Sequence, residues 1–188
     1  MLYVVGQVIG VTVLDNIMYV VCEKSSTIRL YNADTCIPLD AGIDVEGMDI
    51  ARDIVVCRDD RQLYVAQWNG IWRVSCDDHS YVKWLPTEST TGAMRSIHRS
   101  MGAFTVTAIS LTSRRLLMTS WVSRRLRQYS TTDRQLLRVV DLPQYVDNVL
   151  HGVETTRGTF VVGHLGTSLD QLQWAVSELL TVIIASKL

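Results

Sequence analysis

The chain has 188 residues, of which 47% are hydrophobic and 20% are charged, a composition typical of folded globular proteins and not of disordered ones. Its length favours a single domain, here residues 1–188, and excludes a large multidomain enzyme. Eighteen basic residues against nineteen acidic ones give a formal net charge of −1, so the chain as a whole has no strong electrostatic attraction to nucleic acid or to an anionic membrane.

Cysteine spacing and the chain ends indicate the cellular compartment. Cys22, Cys36, Cys57 and Cys76 form no CxxC pair, which argues against a zinc knuckle or a redox motif. The first residues lack the basic region of a secretory signal, and the apolar windows are shorter than the roughly 18 to 20 residues that span a bilayer. We therefore expect a cytoplasmic protein with no membrane partner, although Ser186-Lys187-Leu188 matches a peroxisomal targeting tripeptide.

One order of strands and turns repeats four times along the chain. The second strand of each repeat is the clearest, and its centres, at Tyr19, Tyr64, Leu117 and Val161, are 45, 53 and 44 residues apart. This spacing matches a four-stranded propeller blade of about 40 to 50 residues. The sequence thus predicts blades at 8–40, 52–85, 104–141 and 149–185, with a polar insertion at 86–103.

Alternating apolar residues and polar turns predict the strands of the first two blades. In chain order these are Val8–Val13, Ile17–Val21, Ile28–Tyr31, Cys36–Leu39, Asp53–Cys57, Gln62–Ala66, Ile71–Val74 and Tyr81–Leu85. Asn32-Ala33-Asp34-Thr35 and Cys76-Asp77-Asp78-His79 are predicted turns, because Asn, Asp, Ser and Thr side chains bond to nearby backbone in such turns.

The same order predicts the strands of the last two blades, with a turn at Ser130-Thr131-Thr132-Asp133. The predicted strands are Thr105–Leu111, Arg115–Thr119, Leu126–Tyr129, Leu136–Val140, His151–Glu154, Thr159–Gly163 and Leu172–Ala175, and the run Val182–Ile184 is also assigned to a strand. A helix competes over Leu169–Ile184, where apolar residues recur at a spacing of three and four.

The second repeat resembles the NHL repeat, a family of β-propeller blades. The resemblance rests on Arg52–Val56, Leu63–Ala66 and Gly70–Val74, it recurs in Gly152–Glu154, and it covers most of residues 8–178. It implies an all-β fold, a β-propeller of about four four-stranded blades. Closed rings of about 4 to 8 blades are usual, so a compact four-blade ring, an incomplete or open propeller and a part of a longer propeller all stay open.

His151, Glu154 and His164 are the densest set of potential metal ligands. Some NHL-like propellers resemble lyases that hold zinc at the axis, but this spacing is not a known ligand motif. The sequence also has no G-x-S-x-G elbow and no Gly-rich phosphate loop. We therefore expect no metal, no other cofactor and no enzymatic activity, with a metal-dependent lyase-like enzyme as an alternative.

Arginines are concentrated in the third repeat. Between Gly92 and Val140 nine arginines stand against Asp133 alone. The candidate binding residues are Arg114, Arg115, Arg124, Arg125, Arg127 and the neighbouring Trp121. A basic and aromatic surface can hold phosphate or single-stranded RNA bases, as some NHL propellers of the tripartite-motif family do, and it equally suits an acidic protein. Propeller loops present variable side chains on a rigid frame, so the principal hypothesis is a protein- or peptide-binding module and RNA binding is the alternative.

Overall fold

The computed structural model describes residues 6–39, 42–67, 70–85, 106–121, 123–146, 148–164 and 181–185. All regular secondary structure in these residues is β-strand. No helix within the described ranges has the length and apolarity needed to cross a bilayer. The chain divides into two compact units, Met1–Glu88 and Ser89–Leu188.

The first unit contains two antiparallel four-stranded sheets, which we call blades 1 and 2. Their strands are hydrogen-bonded in chain order. Blade 1 is formed by β1 (Val8–Leu14), β2 (Ile17–Cys22), β3 (Thr27–Asn32) and β4 (Ile43–Asp44), and blade 2 by β5 (Ala51–Cys57), β6 (Gln62–Gln67), β7 (Gly70–Ser75) and β8 (Tyr81–Leu85).

The second unit contains blades 3 and 4, again antiparallel and paired in chain order. Blade 3 is formed by β9 (Ala108–Thr112), β10 (Arg115–Thr119), β11 (Arg125–Ser130) and β12 (Leu136–Asp141), and the described strands of blade 4 are β13 (Val149–Glu154), β14 (Phe160–His164) and β15 (Thr181–Ala185). The predicted order of strands is confirmed in all four sheets, because alternation of apolar residues identifies half-buried strands.

Blades 1 and 2 pack face to face around one apolar core. Tyr19 and Val21 of blade 1 belong to the same buried cluster as Leu63 and Val65 of blade 2. The two blades approach most closely at Gly10, where an added Cβ would lie 3.0 Å from the backbone nitrogen of Ile54. Glycine is therefore needed for this approach, because a side chain would press against backbone that cannot rotate away.

Blades 3 and 4 share a second core, in which Leu117 and Leu126 of blade 3 pack with Phe160 and Val162 of blade 4. Leu142, Val146 and Val149, from the end of blade 3 and the start of blade 4, complete this buried cluster. The connection between the blades is thus held by its own apolar residues.

The turns between the third and fourth strands repeat atom for atom in blades 1, 2 and 3. The side chain of Asn32, Ser75 or Ser130 accepts hydrogen bonds from the two backbone N–H groups that follow at the second and third positions. Each turn then ends in a residue with positive φ, Cys36 (56°), His79 (59°) or Arg134 (64°). The predicted side-chain-capped turns are thereby confirmed.

Two predicted strands differ from the structure. The fourth strand of blade 1 is Ile43–Asp44 rather than Cys36–Leu39. Cys36 has positive φ, which a strand does not allow, and Pro38 forms only an isolated bridge to Tyr31.

The strand that pairs with β14 in blade 4 is Thr181–Ala185, not Leu172–Ala175. Its run of β-branched residues favours a strand over the competing helix, which is wrong for residues 181–184. Leu172–Ala175, the insertion 86–103 and Ser186-Lys187-Leu188 lie outside the described residues.

We expect the capped turn of blade 2 to make stability depend on acidic pH. Hydrogen bonds from the side chains of Ser75 and Ser80 hold the pKa of Asp78 at about 2, below its ordinary value, and the bond to Ser130 similarly lowers the pKa of Asp133. A lowered carboxyl pKa stabilises the folded state above the unfolded pKa, and this stabilisation is lost as pH falls from about 4 towards 2. Asp78→Asn should therefore flatten the loss of stability over this range, measured by urea unfolding at successive pH values.

Ser75→Ala serves as the graded control, since it removes only part of the hydrogen bonding and should flatten the profile less. Identical profiles for the wild type and Asp78→Asn would contradict the assignment.

Candidate binding surface on the third blade

Blade 3 has two ends with different connections. The hairpin end carries the β9–β10 turn and the β11–β12 turn, and there Arg115 pairs with Ser130. The loop end carries the connection 120–124 and the connection from β12 towards β13, and there Arg125 pairs with Asp141. A strand rises about 3.3 Å per residue, so the five residues from Arg125 to Ser130 separate the two ends by roughly 17 Å.

The structure divides the candidate arginines between these ends. Arg114 and Arg115 lie at the hairpin end, whereas Arg124, Arg125 and Trp121 lie at the loop end. Arg127 stands inside β11, opposite Val139 and Met118. The six residues predicted as one binding surface therefore form two groups and an intermediate position.

Arg115 belongs to a buried polar cluster between blades 3 and 4, the Glu154 cluster, formed by Glu154, Arg115, Gln128 and Arg138. The Glu154 side chain is only 1% exposed. Its Oε1 accepts a bond of 2.5 Å from Arg138, its Oε2 accepts one of 2.7 Å from Gln128, and the Arg115 guanidinium lies 3.3 Å from Oε2.

Further contacts order the Glu154 cluster. Arg138 Nε donates to Gln128 Oε1 at 2.7 Å, and its guanidinium lies 4.4 Å from the centre of the Phe160 ring. Two cations and an amide thus compensate one buried carboxylate, which is the condition for tolerating a buried charge. In the first unit, Arg61 similarly joins Asp15 of blade 1 to Asp77 of blade 2, but these side chains are exposed.

The three potential metal ligands do not come together. Glu154 pairs with Phe160 at one end of the β13–β14 hairpin, and His164 pairs with Val149 at the other end, which places them about 13 Å apart along the ladder. His151 is exposed, and the Glu154 carboxylate is held by arginines. Within the described ranges, no group of three or more His, Cys, Asp or Glu residues is arranged to hold a metal ion.

The loop end presents exposed aromatic and arginine side chains, which we call the Trp121 surface: Trp121, Arg124, Arg125 and Tyr145. Trp121 is 43% and Tyr145 63% exposed. Tyr145 escaped the sequence reasoning. The signal that could have found it is its place in the Pro143-Gln144-Tyr145 connection, which follows β12 and therefore returns to the loop end.

Backbone hydrogen bonds hold the Trp121 surface in place. The Trp121 N–H donates to Thr107 Oγ1 at 2.6 Å. Leu142 N donates to the Arg124 carbonyl at 2.8 Å, and the Arg124 guanidinium donates to the Gln144 carbonyl at 2.8 Å. The two connections are thus tied to each other.

Arg125 forms an ion pair with Asp141, with Nε 2.7 Å from Oδ1 and side chains 58% and 75% exposed. An exposed pair of this kind contributes little to stability. A carboxylate from a binding partner can therefore replace Asp141 at small cost.

Comparison with known proteins was made at the level of sequence and of structure. No protein-family model matches the chain, and no curated protein matches it. Solved structures do match, among them the WD40 β-propeller domain of Doa1, with 14% identity, a TM-score of 0.59 and coverage of 84% of this chain and 48% of that chain. The chain has a β-propeller fold.

Two further structures support this fold at similarly low identity. The computationally designed Ika4 protein matches with 13% identity and a TM-score of 0.61, covering 86% of this chain and 88% of that one. Hydrazine synthase of Kuenenia stuttgartiensis matches with 14% identity and a TM-score of 0.63, covering 90% of this chain and 47% of that one. The chain thus spans about half the length of two of these three structures.

Proposed function

We propose that this chain is a non-enzymatic binding module whose Trp121 surface binds a protein or peptide carrying acidic side chains. One observation carries the proposal: exposed Trp, Tyr and Arg side chains are grouped on connections that are fixed by hydrogen bonds. These three residue types dominate the energetic centres of protein interfaces. A preordered surface also loses little conformational entropy on binding.

The absence of catalytic activity in this proposal is supported by the state of two cysteines. Burial raises the pKa of the Cys57 and Cys76 thiols, whereas a nucleophilic cysteine requires a lowered pKa. Within the same proposal the blades are divergent NHL-like blades, supported by the match of Arg52–Val56 and Gly70–Val74 to that repeat, and the protein acts in the cytoplasm.

Single-stranded RNA is the second candidate partner, favoured by the arginine and tryptophan side chains of the same surface. The protein partner is preferred because Arg115, one of the five candidate arginines, is bound to Glu154, and only Arg124 and Arg125 lie at the loop end. Two arginines neutralise few phosphates, and affinity for nucleic acid depends on their number.

Peptides selected from a displayed random library on the folded protein provide the test. We expect the selected peptides to be rich in Asp and Glu. Trp121→Ala, Arg124→Ala and Tyr145→Ala should each weaken their binding about 30-fold, the effect of losing a central interface residue of about 2 kcal/mol. The dissociation constants can be measured by fluorescence anisotropy. Leu137→Ala, an exposed change in the same blade, is the matched control and should have no effect.

Other outcomes distinguish the alternatives. Peptide affinity that none of the three substitutions changes would refute the Trp121 surface. Binding of a uridine-rich RNA that weakens with salt, by a slope of roughly 0.7 per phosphate, and that is lost on Arg124→Ala would favour RNA. Stoichiometric zinc that disappears when His151 and His164 are both replaced would favour the lyase-like enzyme.

A further inference from the structure

The first strand of blade 1 exposes a row of valines. Val8, Val11 and Val13 are 41%, 48% and 38% exposed, and we call these three residues the valine face. They pair across the sheet with Cys22, Val20 and Met18, respectively, which belong to a cluster separate from the core between blades 1 and 2.

The valine face points away from blade 2. Gly10, which stands between these valines in β1, faces Ile54 of blade 2, and successive residues of a strand point to opposite faces. Each exposed valine is therefore on the side of blade 1 that does not contact blade 2.

The first strand of blade 4 has a comparable exposed position. Val153 is 39% exposed. Its neighbour Gly152 faces blade 3, since an added Cβ there would lie 3.1 Å from Thr119 and 3.6 Å from Leu117. Val153 therefore points away from blade 3.

The first strands of blades 2 and 3 differ from these two. No residue of β9 is exposed, and Arg52 is the only exposed residue of β5. Aliphatic exposure among the first strands is thus confined to β1 and β13.

Contacts within each unit show how two consecutive blades meet. In the first unit β1 packs on β5, and in the second β9 packs on β13, so the first strand of one blade always covers the first strand of the next. By this rule the valine face is shaped for a preceding blade and the Val153 side of β13 for a following blade.

We propose that the valine face of one copy of this chain packs against the Val153 side of blade 4 in a second copy. The same chain supplies both halves of a blade-to-blade interface, and both halves are uncharged at the residues named. This association is head-to-tail, and two such contacts close a dimer.

Sedimentation equilibrium of the purified chain tests the proposal. The wild type should dimerise reversibly, and Val11→Lys and Val153→Glu should each raise the dissociation constant at least about tenfold, because each buries an unpaired charge in an apolar contact. Val82→Lys is the matched control, since Val82 is 39% exposed on an outer strand, and it should leave the dimer unchanged. Circular dichroism of each variant establishes that it is folded.

Mixing the variants tests the direction of the contact. An equimolar mixture of Val11→Lys and Val153→Glu should dimerise again, because one interface then joins opposite charges and the other is unchanged. A wild type that is monomeric at all concentrations, with its two faces unpaired or joined within one chain, would overturn the proposal. A dimer that Val153→Glu does not weaken would also overturn it, since the valine faces would then pair with each other.

Discussion

Replacing Glu154 by alanine is expected to lower the free energy of unfolding by about 3 kcal/mol. The substitution removes the carboxylate that receives Arg138 at 2.5 Å and Gln128 at 2.7 Å, and it leaves a partly buried guanidinium without its opposite charge. Breaking one side of a buried ion pair costs more than the pair contributes, because the remaining charge stays desolvated. Urea unfolding followed by tryptophan fluorescence measures the change.

Asp141→Ala is the matched control for this effect. It also breaks a carboxylate–arginine pair in unit 2, but both partners are exposed, so the cost should stay below about 1 kcal/mol. Replacing Glu154 and Arg138 together by methionine should recover much of the lost stability, because apolar packing can substitute for a buried ion pair. Equal effects of Glu154→Ala and Asp141→Ala would show that the Glu154 cluster is not a special contact.

Replacing Trp84 by alanine should destabilise the first unit by about 3 to 5 kcal/mol. The Trp84 side chain is fully buried, and its ring meets that of Tyr64 edge-on, with centroids 5.1 Å apart and an interplanar angle of 74°. The truncation therefore removes a large apolar contact, leaves a cavity and breaks an aromatic pair. In thermal unfolding we expect a fall of roughly 10 °C, at about 2 to 4 °C per kcal/mol for a chain of this length.

Two further variants of β8 separate ring contact from general damage to the strand. Trp84→Phe keeps an aromatic ring against Tyr64 and should lose less than half as much stability as Trp84→Ala. Val82→Ala changes an exposed residue of the same strand and should have little effect. If Val82→Ala were as destabilising as Trp84→Ala, the fold of the outer strand and not the aromatic contact would be responsible.

The sequence by itself determined the strands and turns that depend on neighbouring residues. Tyr81–Leu85 and Arg115–Thr119 were predicted with the bounds that the structure has. Alternation marks such strands directly, because every second side chain must enter the core. The turn after Ser75 was equally predictable, since its hydrogen bonds join residues two and three positions apart.

Tertiary structure decided the features that depend on residues distant in the chain. Glu154 meets Arg138 and Gln128 across 16 and 26 positions, so composition could not distinguish a buried ion pair from a metal ligand. The arginines adjacent in sequence separate because β10 and β11 run antiparallel and carry Arg115 and Arg125 to opposite ends of the blade. The outer strand of blade 1 likewise formed at Ile43–Asp44, where the chain reaches the open edge of β3, because strand pairing depends on the neighbouring strand and not on local preference alone.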